Sequence, residues 1–217
     1  MTYTNFIKEK IKEYDVGDPI YTKAIKQQLV LEYQLDEKKA GAMASAIIKR
    51  LKDKAVIPEL RFFQKGIYYR TWTCILGELP IRKRKLAYDK YVAGDNGYET
   101  GHSFLHRMGL STQMPARIQY ASNNSKPYIT EDKTLRVLVG PPKTKITQAN
   151  KRYLQILDIL EIYHKAPINV ENPYGIILDF IKQEKLDYKI LLKLAHEFYN
   201  QRVVFLLVKI LIEGEKV

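Results

Sequence analysis

Apolar side chains Phe6, Ile7, Ile11 and Tyr14 recur one or two helical turns apart and predict a first helix over residues 4–14. The run DVGDP, with Gly17 and Pro19, ends it, and Ile20 reads as a short extended piece. Thr22 is placed to cap a second helix, 23–33, with Ile25, Leu29 and Val30 on its apolar face. Asp36 is placed to cap a third, 37–53, with Ala40, Met43 or Ala44, Ile47, Ile48 and Leu51 on its stripe. The period then falls from 3.6 to 2. VIPELRFF (56–63) and GIYYRTW (66–72) read as two strands joined by a turn with Gly66 at the position that needs positive φ. Three helices followed by a hairpin is the element order of a winged helix-turn-helix.

Further along, residues 82–97 read as a basic connector or a short helix. A helix is predicted over 98–110, stopped by Gly109, with Leu110 placed for the apolar contact of a C-terminal cap. Strands are predicted at 116–122 and 134–140, with a polar loop, NNSKPYITEDK, between them. The remainder reads as helical: 147–164, then helices starting at Pro173 after Asn172, after Asp187 and after Asn200. The fold class expected is α+β and mostly helical. A winged helix-turn-helix over 1–75 is followed by a basic connector, 76–96. A second α/β domain, 97–217, has a small sheet and a C-terminal helical bundle.

Charge sharpens this picture. The chain carries a formal net charge of +12. Residues 1–75 hold 14 basic and 9 acidic side chains, residues 76–145 hold 12 and 6, and residues 146–217 hold 10 and 9. The surplus therefore sits in the first two-thirds and favours an anionic partner, nucleic acid first. The single cysteine, Cys74, reads as a small buried hydrophobe, and a chain with one cysteine fits a reducing cytoplasm. The N-terminus has no signal-peptide core, and the most apolar run, 203–212, is short and interrupted by Lys209, so no membrane is expected.

Helix 37–53 and the hairpin carry the candidate nucleic-acid contacts. Ala42, Ser45 and Ala46 lack the bulk that would hold a helix backbone away from base edges, while Lys38, Lys39 and Lys49 project charge from the same side. Arg50 and Lys52 flank that side within reach of phosphates. Arg61, Lys65 and Arg70 are expected to run along the adjacent DNA backbone from the hairpin, with Gln64 near a base edge or sugar. A second basic area is expected from Arg82, Lys83, Arg84 and Lys85 with Lys143 and Lys145, its alternative being a solvated connector. The bland reading of helix 37–53 is an ordinary amphipathic helix with solvated lysines.

Catalytic motifs do not emerge. LRVLVGPPKTKI sets a Gly and a Lys-Thr after a strand, but Pro141 and Pro142 lack the N–H donors a phosphate loop needs. His102 and His106 stand at i and i+4 without a third ligand, and Glu131 and Asp132 lie in a polar stretch expected to be too loose for metal-assisted hydrolysis. The expectation is a protein that is not an enzyme and takes no metal or cofactor.

The stretch NGYETGHSFLHRMGLSTQMPARIQYAS resembles the opening of the second domain of AbiE-type antitoxins, the abortive-infection transcriptional regulators of type IV toxin–antitoxin systems. The resemblance rests on Gly97, Tyr98, Gly101, Ser103, Leu105, Gly109, Leu110, Thr112, Gln113 and Pro115, followed by a strand. AIIKRLKDKAVIPEL with KGIYYR is similar to the same family's winged helix, and LLKLAHEFYNQRVVFLLVKILIE to its closing helices. The resemblance implies a first domain that binds inverted repeats in double-stranded DNA and represses its own operon. It implies a second domain that opposes a nucleotidyltransferase toxin. A reading of a different class is a protein-interaction adaptor that uses the winged helix and helical tail without sequence-specific DNA binding.

Overall fold

The computed structural model describes residues 2–75 and 77–213. The outer limits of the expected domains, Met1 and Val217, and the expected start of the connector, Leu76, lie outside them. The protein is α+β, half of it helical, with small sheets. It divides into two compact units, Met1–Leu86 and Ala87–Val217.

The first unit begins with α1 (Tyr3–Lys12), β1 (Pro19–Tyr21), α2 (Thr22–Tyr33) and α3 (Glu37–Asp53). Thr22 is the first residue of α2 rather than its cap; Tyr21 takes the cap position with no side-chain hydrogen bond, because it is still paired in β1. Asp36 does cap α3, accepting from the N–H groups of Lys38 and Lys39 at 3.0 and 3.1 Å. β2 (Leu60–Gln64) and β3 (Ile67–Arg70) form the hairpin, and Gly66 takes φ +79° in its turn. Residues 56–59 are not in the strand. The three strands make an antiparallel sheet in the order β1-β3-β2, with Ile20 opposite Tyr68 and Leu60 opposite Arg70. Ile7, Ile11, Ile25, Leu29, Ile48 and Leu60 fill the core beneath it.

A second, smaller hairpin follows, β4 (Thr73–Cys74) with β5 (Gly77–Glu78). Cys74 is exposed there, not buried, because this hairpin lies outside the core. The basic run then enters α4 (Lys83–Tyr91). Its start is tied to the turn after α1. Arg82 N–H donates to the Gly17 carbonyl at 2.8 Å, and the side chains of Arg82 (2.6 Å) and Lys85 both bind the Asp18 carboxylate. Burial pushes the Asp18 carboxyl up, but the two cations outweigh it and hold the group below the ordinary carboxylate range.

In the second unit, β6 (Gly97–Thr100), β7 (Ile118–Ser122), β9 (Val137–Gly140) and β8 (Thr130–Asp132) line up in that spatial order. The β6–β7 and β8–β9 pairs are antiparallel and β7–β9 is parallel. Two expectations fail here. Residues 98–100 are strand, and the helix is only α5 (Gly101–Arg107). The supposed polar loop holds the edge strand β8, three residues long and defined by backbone pairing. The cap at Gly109 is as expected: its N–H reaches the His106 carbonyl, and that of buried Leu110 reaches the Leu105 carbonyl, both at 3.0 Å. Gly97 sits where β6 meets both a neighbouring strand and the end of α4. A Cβ there would lie 2.6 Å from the Ala121 carbonyl oxygen and nearer still to that of Tyr91.

The helices α6 (Lys151–Ile162), α7 (Pro173–Gln183), α8 (Tyr188–Phe198) and α9 (Gln201–Glu213) complete the unit, with a 3₁₀ turn at Tyr163–Lys165. Asn172 and Asp187 cap α7 and α8 through their side chains, as their positions predict. α6 is buried along most of its length and carries Asp158 inside the core. One Asp158 oxygen accepts from Tyr98 at 2.9 Å and Thr100 at 3.1 Å; the other accepts from Tyr199 at 2.6 Å. Burial raises the Asp158 pKa and the three hydroxyls only partly offset it. The alternation of β6 thus aims Tyr98 and Thr100 at one carboxyl, while Glu99 faces Arg107 at 2.7 Å. Among the described residues, no helix is long and apolar enough to cross a membrane.

The Asp18 contacts give the first prediction. Asp18→Ala removes two charge-assisted hydrogen bonds whose cations are half exposed and regain water, so it should cost about 1–2 kcal/mol at neutral pH. A carboxyl whose folded pKa is depressed contributes stability above its unfolded pKa and loses it as pH falls through the folded value. The gap between wild type and variant in urea denaturation should therefore hold at neutral pH and close below the ordinary carboxylate range.

Candidate nucleic-acid interface

Helix α3 presents two unlike faces. Ala40, Ala44, Ile47, Ile48 and Leu51 are buried against the core. On the other side Lys38, Lys39, Ala42, Ser45, Ala46, Lys49 and Arg50 are all exposed. The rotation of the helix is pinned from two sides. Lys26 of α2 pairs with Glu37 at 2.7 Å, and Arg50 donates to the Thr4 hydroxyl of α1 at 2.8 Å. The outward surface is consequently low in relief through Ala42, Ser45 and Ala46, with lysines above and below. Among the described residues, no carboxylate pairs with the ammonium groups of Lys38, Lys39, Lys49 or Lys65. Lys65 stands at the tip of the β2–β3 hairpin with Gln64 exposed beside it.

The arginines of the hairpin do something else. Arg61 was expected on a phosphate; it forms a two-point pair with Glu78 of β5, its Nε at 3.1 Å, and donates to the Pro58 carbonyl at 2.6 Å. The pairing raises the pKa of Arg61 and lowers that of Glu78. Arg70 turns inward. It donates to the carbonyls of Lys12 at 2.8 Å and Tyr14 at 3.0 Å and pairs with Glu59 at 3.3 Å. Those contacts tie the end of α1 to the last residue of β3, which leaves no reach for a nucleic-acid backbone. Lys52 pairs with the adjacent Asp53 at 2.9 Å.

The second basic area divides similarly. Arg82 and Lys85 are held by Asp18, while Lys83 and Arg84 are exposed. Lys143 belongs to the other unit and pairs with Glu161 of α6 at 2.6 Å; Lys145 is exposed. Lys54, at the end of α3, is also exposed and extends the basic edge of that helix. Its place in the run Lys49, Arg50, Lys52, Lys54 was the sequence signal for it. His102 and His106 lie on α5, and no group of three or more metal-ligating side chains occurs among the described residues.

No protein-family model, no curated protein and no solved structure matches the chain.

The arrangement separates structural from surface cations by experiment. Arg70→Ala leaves two backbone carbonyls and Glu59 without their donor and should lower the stability of the protein by about 1–3 kcal/mol. Lys65→Ala, exposed at a turn, should change it by less than about 0.5 kcal/mol. Thermal and urea unfolding of the two variants against wild type measures both.

Proposed function

We propose that residues 1–75 form a winged helix-turn-helix that binds double-stranded DNA, and that the protein is a DNA-binding antitoxin of the AbiE type. It represses its own operon at inverted repeats and counteracts a nucleotidyltransferase toxin. The observation that carries the DNA reading is the outward face of α3. It combines exposed small side chains with lysines that no carboxylate among the described residues neutralises, beside a hairpin tipped by Lys65. A helix with this relief can sit deep in a major groove, where Ser45 and Lys49 meet base edges and the flanking lysines meet phosphates. The toxin-directed role rests on the resemblance of residues 97–115 and of the closing helices to that family.

The commitment of Arg61, Arg70 and Lys52 to internal partners lowers the number of phosphates this unit can neutralise. About four remain, from Lys38, Lys39, Lys54 and Lys65, with Arg50 drawn onto the Thr4 hydroxyl. Affinity for the protein's own upstream DNA should then fall about a hundredfold between 50 and 200 mM salt, with a log–log slope near −3.6. Lys49→Ala and Ser45→Glu should each weaken operator binding at least about tenfold in a gel-shift titration while leaving the unfolding midpoint unchanged. Unchanged affinity in both variants rules out α3 as the recognition element.

One observation favours the adaptor reading. Trp72 is 61% exposed and Ile75 fully so, on and beside the small β4–β5 hairpin. An adaptor would give weak DNA binding with no operator preference, and loss of the protein partner on Trp72→Ala.

A further inference from the structure

The sheet of the second unit sorts its side chains along one face. Strand pairing sets Thr100, Gln119, Leu138 and Glu131 side by side across all four strands. Thr100 reaches the Asp158 carboxylate, so this is the face turned toward α6. Alternation puts Arg117, just before β7, and Ala121, near its end, on that face. Arg136, just before β9, and Gly140, its last residue, follow the same rule. Two cavities open there. One of about 490 Å³ is lined by Arg117 and Arg136. The other, of about 400 Å³, is lined by Ala121 and Gly140 together with Asp158 and Glu161. His102 and Gln119 line both, so the two adjoin as one cleft along the strands. Four residues at about 3.3 Å each set its ends about 13 Å apart.

The two ends differ in chemistry. At the arginine end, Glu131 holds Arg117 at 2.9 Å, while the Arg136 guanidinium has no acceptor among the described residues. Its planar fork suits two oxygens of a phosphate. In the middle, the His102 ring and the Gln119 side-chain amide also lack a hydrogen-bond partner among the described residues. Gly101 makes room for that amide, which a Cβ there would strike. At the other end the acceptors gather on α6. Tyr98, Thr100 and Tyr199 donate to Asp158. Lys143 holds one Glu161 oxygen at 2.6 Å and leaves the second without a donor among the described residues. The same cavity is walled by Tyr128 and Ile129, which are 60% and 58% exposed.

A ligand for this cleft needs an anionic group at one end. At the other it needs a flat ring whose face is apolar and whose edge donates N–H groups. A nucleoside monophosphate carries both, joined by a sugar whose hydroxyls suit the His102 ring and the Gln119 amide. We propose that the cleft binds a nucleoside monophosphate, with its phosphate on Arg136 and its base against Tyr128, the N–H edge turned to Glu161. Inorganic phosphate would fill only the arginine end, and a nucleoside only the other. Cavities of this size, with a few convergent polar groups and an apolar wall, are the usual sites of small molecules. The site lies within the second unit and rests on nothing in the DNA reading.

Isothermal titration of the full chain with AMP and with GMP, in the absence of DNA, should show saturable binding of at least one of them. Inorganic phosphate, ribose 5-phosphate, adenosine and guanosine should each bind at least about tenfold more weakly than that nucleotide. Arg136→Gly should weaken nucleotide binding at least about tenfold. Residue 136 has φ +59°, a conformation glycine adopts freely, so the melting temperature of that variant should not fall. A merely structural arginine would behave in the opposite way. Tyr128→Ala, at an exposed position, should weaken binding at least about fivefold. Lys65→Ala should leave it unchanged, which separates the cleft from general attraction to a basic chain. Failure of both nucleotides to bind above about 1 mM overturns the proposal. So does inorganic phosphate that binds as tightly as the nucleotides, an Arg136→Gly variant that binds like wild type, or a Lys65→Ala variant that loses as much affinity as Arg136→Gly.

Discussion

The orientation of α3 governs what the first unit can present. Ala40 and Ala44 have no accessible surface, nor does Ile48, so the helix rests directly on the core built from α1 and α2. Large side chains at 40 and 44 would hold it off; small ones let Ile47, Ile48 and Leu51 reach their neighbours. The Lys26–Glu37 and Arg50–Thr4 contacts then fix its rotation at both ends. Everything offered to a partner by Ala42, Ser45, Ala46 and Lys49 follows from that seating. An inner face of this kind makes the outer face rigid without any contribution from the outer residues themselves.

Internal pairing redistributes the charge of the chain. Six of the basic side chains that seemed available for an anionic partner are bound elsewhere, Lys52 by Asp53 and Lys143 by Glu161 among them. Asp18 holds Arg82 and Lys85, Glu78 holds Arg61, and Arg70 is shared between Glu59 and two carbonyls. Arginine suits these roles because its planar fork satisfies several acceptors at once, whereas lysine acts as a single mobile charge. The division in the first unit follows that chemistry. Both hairpin arginines stitch segments of the unit together, and the hairpin lysine stays in solvent at the tip.

Much of the architecture was legible in the chain. The stripes of α1, α2 and α3 and the caps at Asp36, Asn172 and Asp187 are local features, written within one or two helical turns, and the structure repeats them. What escaped is non-local or very short. β6 and β8 have four and three residues, too few to display a period of two, and both exist through pairing with β7 and β9. The fate of Arg70 is set by carbonyls 56 and 58 residues away, and that of Arg61 by a carboxylate 17 residues on. The Asp158 hub draws in side chains from 60 residues before it and 41 after it, with no spacing that would reveal it. The exposed face of α3 was readable from amphipathicity alone; which of its neighbouring cations were free was not.

Gly97 carries a consequence out of proportion to its size. The missing side chain lets β6 close on Ala121 and on the end of α4 at a separation that no other residue permits. Tyr98 and Thr100 reach the α6 carboxyl only from that position. A single methyl group at 97 would therefore prise apart a sheet edge and, with it, the polar anchor of a helix sixty residues downstream. The seating of one edge strand thus hangs on a residue with no side chain at all.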